Sequence, residues 1–437
     1  MGKQLHCRNF GCSLSNANRA FSLGMGSASN YSSGEADSST PFPAAGIITN
    51  IVAHLDTLPA AGTTKIFTIM NGTSSTGIVF TFDDSHLFAT SAGPVTIAAG
   101  DRLWISYTFT GTPGVTGLFS LSYVWNGVSN VYVGGNQTIG SVTRFFQPFA
   151  PATGNSTTAG TDYQAPVAAP GIITGYYVTM PASVGSSGSY KWSIVKNGVV
   201  QDGSSGTPDT RLTLANSTSR VSGNTSFSLS VAAGDLIYAQ VELVSAPSSK
   251  SFCWGMAFTP TNGGESNLMW PLPSVPATAG ASAFNGPTLD LLGWSNETGV
   301  SGRQAFVADR FKVTSMQVWL NTAPGATKSR TFVNRLNGAN GNSSIVISGT
   351  NTQGADTSSQ TSYTAQDQIC FQESANANTP TASIGGVGFT IFMPGGNPPG
   401  KSQGGSKKNG GGAVNSFQPG GTICMTIGNP GNSSEVQ

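Results

Sequence analysis

The densest group of side chains capable of acid–base chemistry or metal binding is the run Asp83-Asp84-Ser85-His86. Two carboxylates and an imidazole can bind a divalent cation or assist hydrolysis. The run lies between Phe82 and Leu87 in a segment typical of a hairpin loop, and it has no counterpart elsewhere in the chain. Asp and Ser are ordinary turn-forming residues. We therefore predict a loop here, with neither a catalytic nor a metal site.

A second candidate is the group His6, Cys7 and Cys12, which could supply half of a zinc site. A structural zinc site takes four ligands, usually from two close pairs, and the chain offers no second pair. The remaining cysteines, Cys253, Cys370 and Cys424, are widely spaced and lie in apolar runs. An odd, dispersed set is not a disulfide framework and is typical of folding in a reducing cytoplasm. Cys253, between Phe252 and Trp254, is expected to be a small buried residue.

The third histidine, His54, lies between Ala53 and Leu55 in a predicted strand. We interpret Thr179 and Gln317 as its counterparts in the repeats described below, and their polarity predicts a solvent-facing position. The sequence contains no phosphate-binding loop, dinucleotide fingerprint or Gly-x-Ser-x-Gly motif. We therefore predict that the protein is not an enzyme and has no catalytic, cofactor-binding or metal-binding residues.

The amino-acid composition limits the kinds of partner that the chain is expected to bind. Only 9% of the 437 residues are charged, against about 25% in an ordinary soluble domain. The net charge of +1 and pI of 7.6 give no basic face for a nucleic acid. No run of 18 apolar residues predicts a membrane span, and no N-terminal signal peptide is expected. With 38% apolar residues, including 23 Phe, the chain can build several hydrophobic cores.

The strand and turn motifs that would position any functional site recur along the chain. Gly46-Ile47-Ile48-Thr49 matches Gly171-Ile172-Ile173-Thr174 and, more weakly, Phe311-Lys312-Val313-Thr314. Each block is followed by a strand that ends in Asn-Gly, with the Asn at positions 71, 197 and 337. Asn-Gly favours a type I′ hairpin turn because both residues tolerate positive φ. Ala-Ala-Gly-Asp turns follow at 98–101 and 232–235, and Thr-Ala-Gln-Asp is their counterpart at 364–367.

Short alternating strands with regular turns, and no amphipathic helix of 12 residues or more, predict an all-β protein of three tandem jelly-roll-like β-sandwich domains. An immunoglobulin-type sandwich is the alternative, but its Cys-Trp-Cys arrangement is absent. The predicted boundaries are 1–140 for an N-terminal arm and the first sandwich, 141–265 for the second, 266–395 for the third, and 396–437 for a Gly-rich linker and terminal strand. The first core is expected to contain Ile48, Phe67, Ile69, Leu103, Ile105 and Tyr123.

The regions outside the repeats suggest assembly. We place the first 20 residues and the tail from Pro394 outside the repeat. We interpret the segments near Phe21, Phe146 and Trp270 as the first strands of the three sandwiches. Thr422–Ile427 reads as an apolar strand after a flexible linker. We predict that this strand, with the arm Cys7–Leu14, docks on a partner by strand addition. Folding back on the third sandwich and disorder are the alternatives.

The tandem jelly-roll-like units, low charge and richness in Gly, Ser, Thr and Asn resemble bacteriophage and other viral structural proteins of the decoration, head-fibre and tail-associated types. The resemblance implies a non-enzymatic virion component, a capsid decoration or fibre protein made in the host cytoplasm. It implies self-association, as a homotrimer, and contact with capsid or other virion proteins. The alternative is a carbohydrate- or receptor-binding adhesion module of a phage tail or an extracellular assembly, with host surface glycans as ligands.

Overall fold

The computed structural model describes 2–10, 18–23, 38–91, 93–112, 119–139, 142–147, 149, 164–180, 188–215, 221–245, 247–248, 250–275, 282–285, 305–377 and 382–394. All of these residues belong to one compact unit within 1–399. The predicted terminal strand Thr422–Ile427 lies outside the described residues.

The first ten strands form the first repeat, residues 2–127. They are β1 (Gly2–Phe10), β2 (Arg19–Ser22), β3 (Thr40–Pro41), β4 (Gly46–Leu55), β5 (Thr64–Asn71), β6 (Ser74–Phe82), β7 (Phe88–Ser91), β8 (Val95–Ile97), β9 (Arg102–Thr110) and β10 (Phe119–Gly127).

The second repeat, residues 130–260, contains eleven strands. They are β11 (Asn130–Ile139), β12 (Arg144–Phe146), β13 (Ala165–Pro166), β14 (Gly171–Thr179), β15 (Ser189–Lys196), β16 (Val199–Val200), β17 (Leu212–Leu214), β18 (Val221–Asn224), β19 (Leu229–Val231), β20 (Leu236–Val244) and β21 (Lys250–Pro260). A single 3-10 turn, Ser204–Gly206, lies between β16 and β17.

The third repeat, residues 265–392, contains ten strands. They are β22 (Glu265–Val275), β23 (Ser282–Asn285), β24 (Ala305–Phe306), β25 (Phe311–Leu320), β26 (Gly325–Leu336), β27 (Ala339–Gly349), β28 (Gln353–Asp356), β29 (Thr361–Tyr363), β30 (Gln368–Ala375) and β31 (Ala382–Phe392).

These strands form six antiparallel sheets, two in each repeat. In the first repeat one sheet has the order β1-β10-β4-β7 and the other the order β2-β9-β5-β6. The corresponding orders are β11-β21-β14-β18 and β12-β20-β15-β16 in the second repeat, and β22-β31-β25-β28 and β23-β30-β26-β27 in the third. This winding is that of a jelly roll, and the predicted all-β sandwich class is confirmed.

Inward-facing and outward-facing side chains alternate along the strands, and the inward-facing ones form the cores. In β5 every second side chain is buried, and Phe67 and Ile69 face inward while Ile66 and Thr68 face outward. All six residues predicted for the first core are at most 1% exposed, which confirms that prediction. Three clusters of buried apolar side chains are present, and most members of each come from one repeat.

The Asn-Gly pairs form the predicted tight turns in two copies. Asn197 and Gly198 have φ of 51° and 80°, and Asn337 and Gly338 have φ of 50° and 78°. Both central residues therefore have the positive φ of a type I′ turn. In the first copy only Gly72 has positive φ, at 55°, because β5 continues through Asn71 and the two-residue turn begins one residue later.

Sheet pairing corrects three details of the sequence interpretation. The predicted first segment, 1–140, includes β11, which pairs with β21 of the second repeat. Of the first 20 residues, which were predicted to lie outside the repeat, those that the structure places in strands belong to it, because β1 pairs with β10 and β2 with β9. Trp270 lies in β22, the counterpart of β1, whereas the segments near Phe21 and Phe146 lie in β2 and β12. That the repeats are separate domains stays a prediction.

Candidate inter-repeat interface

The two sequence motifs of each repeat meet in space. Asn197 Nδ2 donates a hydrogen bond to Asp235 Oδ1 at 2.8 Å, and its Oδ1 accepts one from the Leu236 amide at 2.8 Å. The third repeat has the same pair, with Asn337 Nδ2 at 2.7 Å from Asp367 Oδ1. In the first repeat Asn71 Nδ2 donates a hydrogen bond to Asp101 Oδ2 at 2.9 Å. We call this Asn–Asp pair the clamp.

Hydrogen bonds keep the clamp carboxylates of the second and third repeats charged. Burial alone would raise the pKa of Asp235, but donors from the Ala232 amide, Asn197 and Lys196 outweigh it and lower the pKa. At Asp367 burial is likewise outweighed by the Thr364 amide, Asn337 and the Thr364 hydroxyl, and the pKa is lowered. Each of these two carboxylates therefore holds two loops together as an ion with several donors.

The clamp positions a short segment that enters the next repeat. The Val167 amide donates to Asp235 O at 2.9 Å, and the Gly234 amide donates back to Val167 O at 2.8 Å. Phe42 and Val307 make the same reciprocal bonds in the other repeats. The segment that each clamp holds contains β3, β13 or β24. We call residues 38–44, 164–169 and 305–309 the docking segments.

Each docking segment packs on the β10, β21 or β31 strand of another repeat. Strand β3 contacts β21, β13 contacts β31, and β24 contacts β10. The first repeat thus docks on the second, the second on the third, and the third on the first. This closed cycle is heterologous, because each repeat uses one surface to dock and a different surface to receive.

Two of the junctions join repeats that follow one another in the chain, through the short connections 128–129 and 261–264. We call these the linked junctions. At the first, a Cβ atom on Gly255 would overlap the Pro41 carbonyl oxygen, and at the second, one on Gly388 would overlap that of Pro166. Glycine is required here by the close approach of a neighbouring backbone.

Polar groups at the linked junctions are satisfied across the interface. The Thr179 hydroxyl donates to Ser39 O at 2.8 Å in the first linked junction. In the second, Asn267 Oδ1 accepts from the amides of Ala168 and Ala169 at 3.0 and 2.6 Å, and its Nδ2 donates to Ala169 O. Buried backbone groups of the docking segment therefore keep hydrogen-bond partners.

The third junction, between 305–309 and the first repeat, has different chemistry, and we call it the closing junction. Ser122 occupies the register position of Gly255 and Gly388. Its Oγ accepts a hydrogen bond from the Ala308 amide at 3.0 Å and donates one to His6 O at 2.9 Å. Asn50 Nδ2 donates to Asp309 Oδ2 at 3.1 Å beside it.

His54 lies in this junction and is not solvent-facing, so that prediction was wrong. Its ring centroid is 4.3 Å from that of Phe306 and 4.5 Å from that of Phe88. Burial lowers its pKa to about 4, against a smaller opposing effect of Asp56. The register also shows that its counterpart in the third repeat is Trp319 and not Gln317.

The first strands of the repeats meet each other beside these junctions. Gln4 Oε1 accepts from the Val131 amide at 2.7 Å, and Asn130 Nδ2 donates to Glu265 O at 2.9 Å. Strand β1 also contacts β22. Gln4 and Asn130 are only 1% exposed although their strands lie at sheet edges. The part of the predicted exchange arm that is described, Cys7–Phe10, is already paired with β10.

The candidates for chemistry occupy structural positions. Asp83 Oδ1 accepts hydrogen bonds from the Ser85 hydroxyl and amide and lies 2.7 Å from His86 Nδ1. The Ser85 hydroxyl, its amide and His86 hold the pKa of Asp83 well below its usual range in this exposed turn. His6 stacks on Tyr123 with ring centroids 4.6 Å apart. The side chain of Cys7 and all of Cys12 lie outside the described residues.

Among the residues that the structure describes, no group of three His, Cys, Asp or Glu side chains is arranged to hold a metal ion. In that same part of the chain, no helix has the length and hydropathy to cross a membrane. The buried thiols of Cys253 and Cys370 are not in disulfides.

The third repeat contains a buried ion pair that the sequence analysis did not predict. Arg330 and Glu373, on adjacent strands β26 and β30, are 0% and 1% exposed, with Nη1 and Oε1 2.7 Å apart. Burial raises the pKa of Glu373 to about 7, while the charge and hydrogen bond of Arg330 oppose that rise. Arg330 lies two residues from Phe332 on the inward face of β26, and Glu373 lies two residues from Phe371 on the inward face of β30. This two-residue period was the available signal in the sequence.

A scan of protein-family models and a search of curated proteins both find no match to this chain.

Proposed function

We propose that this protein is a non-enzymatic structural component of a virus particle, a capsid decoration or fibre protein on the virion surface. The observation that carries the proposal is the closed cycle of three jelly-roll repeats, each docked on the next. The polar side chains that repeat along the chain serve turns and junctions, which suits a protein whose role is mechanical.

The cycle also bears on the partners. The resemblance to viral structural proteins implies a homotrimer, and three docked repeats in one chain supply a comparable threefold arrangement. We propose that one chain takes the place of such a trimer, with capsid or other virion proteins beneath it. An oligomer of heterologous junctions closes only when the rotation between units is correct.

The test is quantitative mass spectrometry of purified virus particles, paired with immunogold labelling of intact ones. We expect the chain at a fixed, high copy number and the label on the outer surface. A chain recovered only from lysed cells, and absent from washed particles, would contradict the proposal.

A second candidate function, glycan binding, is favoured by a groove of about 540 Å³ in the second repeat. Asp209, Arg211 and Asn224 line it, and the carboxylate and guanidinium form a bidentate pair at 2.8 Å. Such planar polar groups suit sugar hydroxyls. A glycan array decides between the candidates: a signal lost in Arg211→Ala and kept in Lys312→Ala, an exposed position of the third repeat, supports the adhesion module.

A further inference from the structure

The closing junction differs from the other two in its covalent context. Short connections at 128–129 and 261–264 hold the linked junctions together even when their contacts break. No comparably short connection joins 305–309 to the first repeat, because 177 residues of chain lie between the end of β10 and the start of β24. Once its contacts are lost, the two faces of this junction can move far apart. The faces of the linked junctions cannot, because a short connection joins their repeats.

The two faces of the closing junction are also complementary between copies. Every chain carries the docking face with Phe306, Ala308 and Asp309, and the receiving face with Asn50, His54 and Ser122. The hydrogen bonds Ala308–Ser122 and Asn50–Asp309 can form within a chain or between two chains without any change of geometry at the contact. Within one closed chain the effective concentration of the partner face is high, so closure dominates.

We propose that the closing junction is an exchangeable interface, through which the third repeat of one copy docks on the first repeat of a second copy after the ring has opened. The partner is thus a second copy of this chain, and the surface is the one already described. This inference does not depend on the virion proposal, because it concerns the chain's association with itself.

Acid is a specific way to open this junction. His54 packs between Phe88 and Phe306, and protonation would place a charge between two rings at a half-buried position. Asp56, just beyond the end of β4, is the charged group that acts on the imidazole. Across the junction Asp309 is engaged by Asn50. Ser120 of β10 is the neighbour of His54 in register.

The linked junctions carry no titratable side chain at this position. Thr179 and Trp319 are the register counterparts of His54. With the pKa of His54 lowered by burial to about 4 and the ring partly exposed, acidification from pH 7 to pH 4 favours the opened state by roughly thirtyfold. The same change leaves the two counterpart positions uncharged.

The experiment uses full-length chain in two forms, one ¹⁵N-labelled and one unlabelled, both carrying Asn50→Cys and Asp309→Cys. The forms are mixed at high concentration, held at pH 4, returned to pH 7.5 and treated with a short bis-maleimide. Cross-linked peptides are then identified by mass. We expect mixed-label cross-links after the acid step and almost exclusively same-label cross-links without it.

The matched control adds His54→Leu, which fills the aromatic site with an uncharged side chain, and should give same-label cross-links under both conditions. Native mass spectrometry of the mixed wild-type forms provides a readout that needs no cysteine substitution, and there we expect mixed-label multimers after the acid step. Equal mixed-label fractions with and without acid, or equal fractions in the parent and His54→Leu, would overturn the proposal.

Discussion

The linked junctions and the closing junction solve one packing problem in two ways. At the linked junctions, Gly255 and Gly388 let a proline-containing segment lie directly on the receiving strand. At the closing junction, Ser122 keeps a side chain and uses it to bind the Ala308 amide, and aromatic rings surround His54. Close backbone packing is insensitive to pH and intolerant of larger residues. We expect the polar and aromatic junction to tolerate substitution better and to respond to protons.

Gly388→Val should give the largest effect. The new side chain would overlap the Pro166 carbonyl oxygen, which belongs to backbone and cannot rotate away. Overpacking of this kind costs about 3 kcal/mol or more of the free energy of unfolding. Urea denaturation, monitored by tryptophan fluorescence, measures this loss of unfolding free energy. Gly93→Val is the matched control, because its Cβ would meet side chains only at 3.7 Å or beyond. Equal losses in both variants would contradict the packing argument.

Protonation of His54 should weaken only the closing junction. The folded pKa lies below the unfolded value of 6.5, so the unfolded chain binds the proton more readily. The contribution of His54 is therefore complete above pH 6.5 and is lost as the pH falls towards 4. Because the ring is partly exposed, we expect roughly 2 kcal/mol. Urea titrations from pH 7 to pH 4 should show this loss in the wild type and a smaller one in His54→Leu. Parallel pH profiles would contradict it.

Ser122→Ala should cost less. The substitution leaves the buried Ala308 amide without its acceptor, at about 1–2 kcal/mol. Amide hydrogen exchange should quicken at Ala308, and the urea midpoint should fall. Ser348→Ala, at an exposed position of β27, serves as the control. Unchanged exchange at Ala308 would show that another group supports the junction.

Asn337→Asp should give the smallest effect and should separate the clamp from the junction. It places a second carboxylate beside Asp367 Oδ1, where the amide now donates at 2.7 Å. We expect about 1 kcal/mol of destabilisation at neutral pH, since the site is exposed. Repulsion should disappear as the carboxylates protonate below about pH 4. Thermal melts at pH 7 and pH 3.5 measure both values, and a loss independent of pH would exclude charge repulsion as the cause.

Local features of the fold were readable from the sequence. Alternation predicted that Phe67 and Ile69 face the first core, because the side-chain period of a strand is two. Asn-Gly at 197 and 337 predicted type I′ turns, because these residues tolerate positive φ. Turn chemistry led us to expect the Asp of each Ala-Gly-Asp turn to bond the backbone beyond it, but Asp235 accepts from the Ala232 amide, three residues before it, at 2.7 Å.

The interface could not be read in the same way. His54 was placed on a solvent-facing position because its assigned counterparts, Thr179 and Gln317, are polar, but Phe306 of another repeat packs against its ring. The available signal was weaker. It consisted of small residues at Ser122, Gly255 and Gly388 on the receiving strands, and of prolines just before the two Gly-Ile-Ile-Thr blocks.

Features that depend on neighbours along the chain could be predicted from the residues alone: the strands, the turns, the inward faces and the all-β sandwich class. The folded structure was needed to show which outward faces are covered, which glycines have a backbone packed against them and which histidine packs between aromatic rings. The bonds Asn50–Asp309 and Ala308–Ser122 join residues 259 and 186 positions apart. Contacts at such separation leave no local pattern, because each partner satisfies the same strand rules whether or not the other is present.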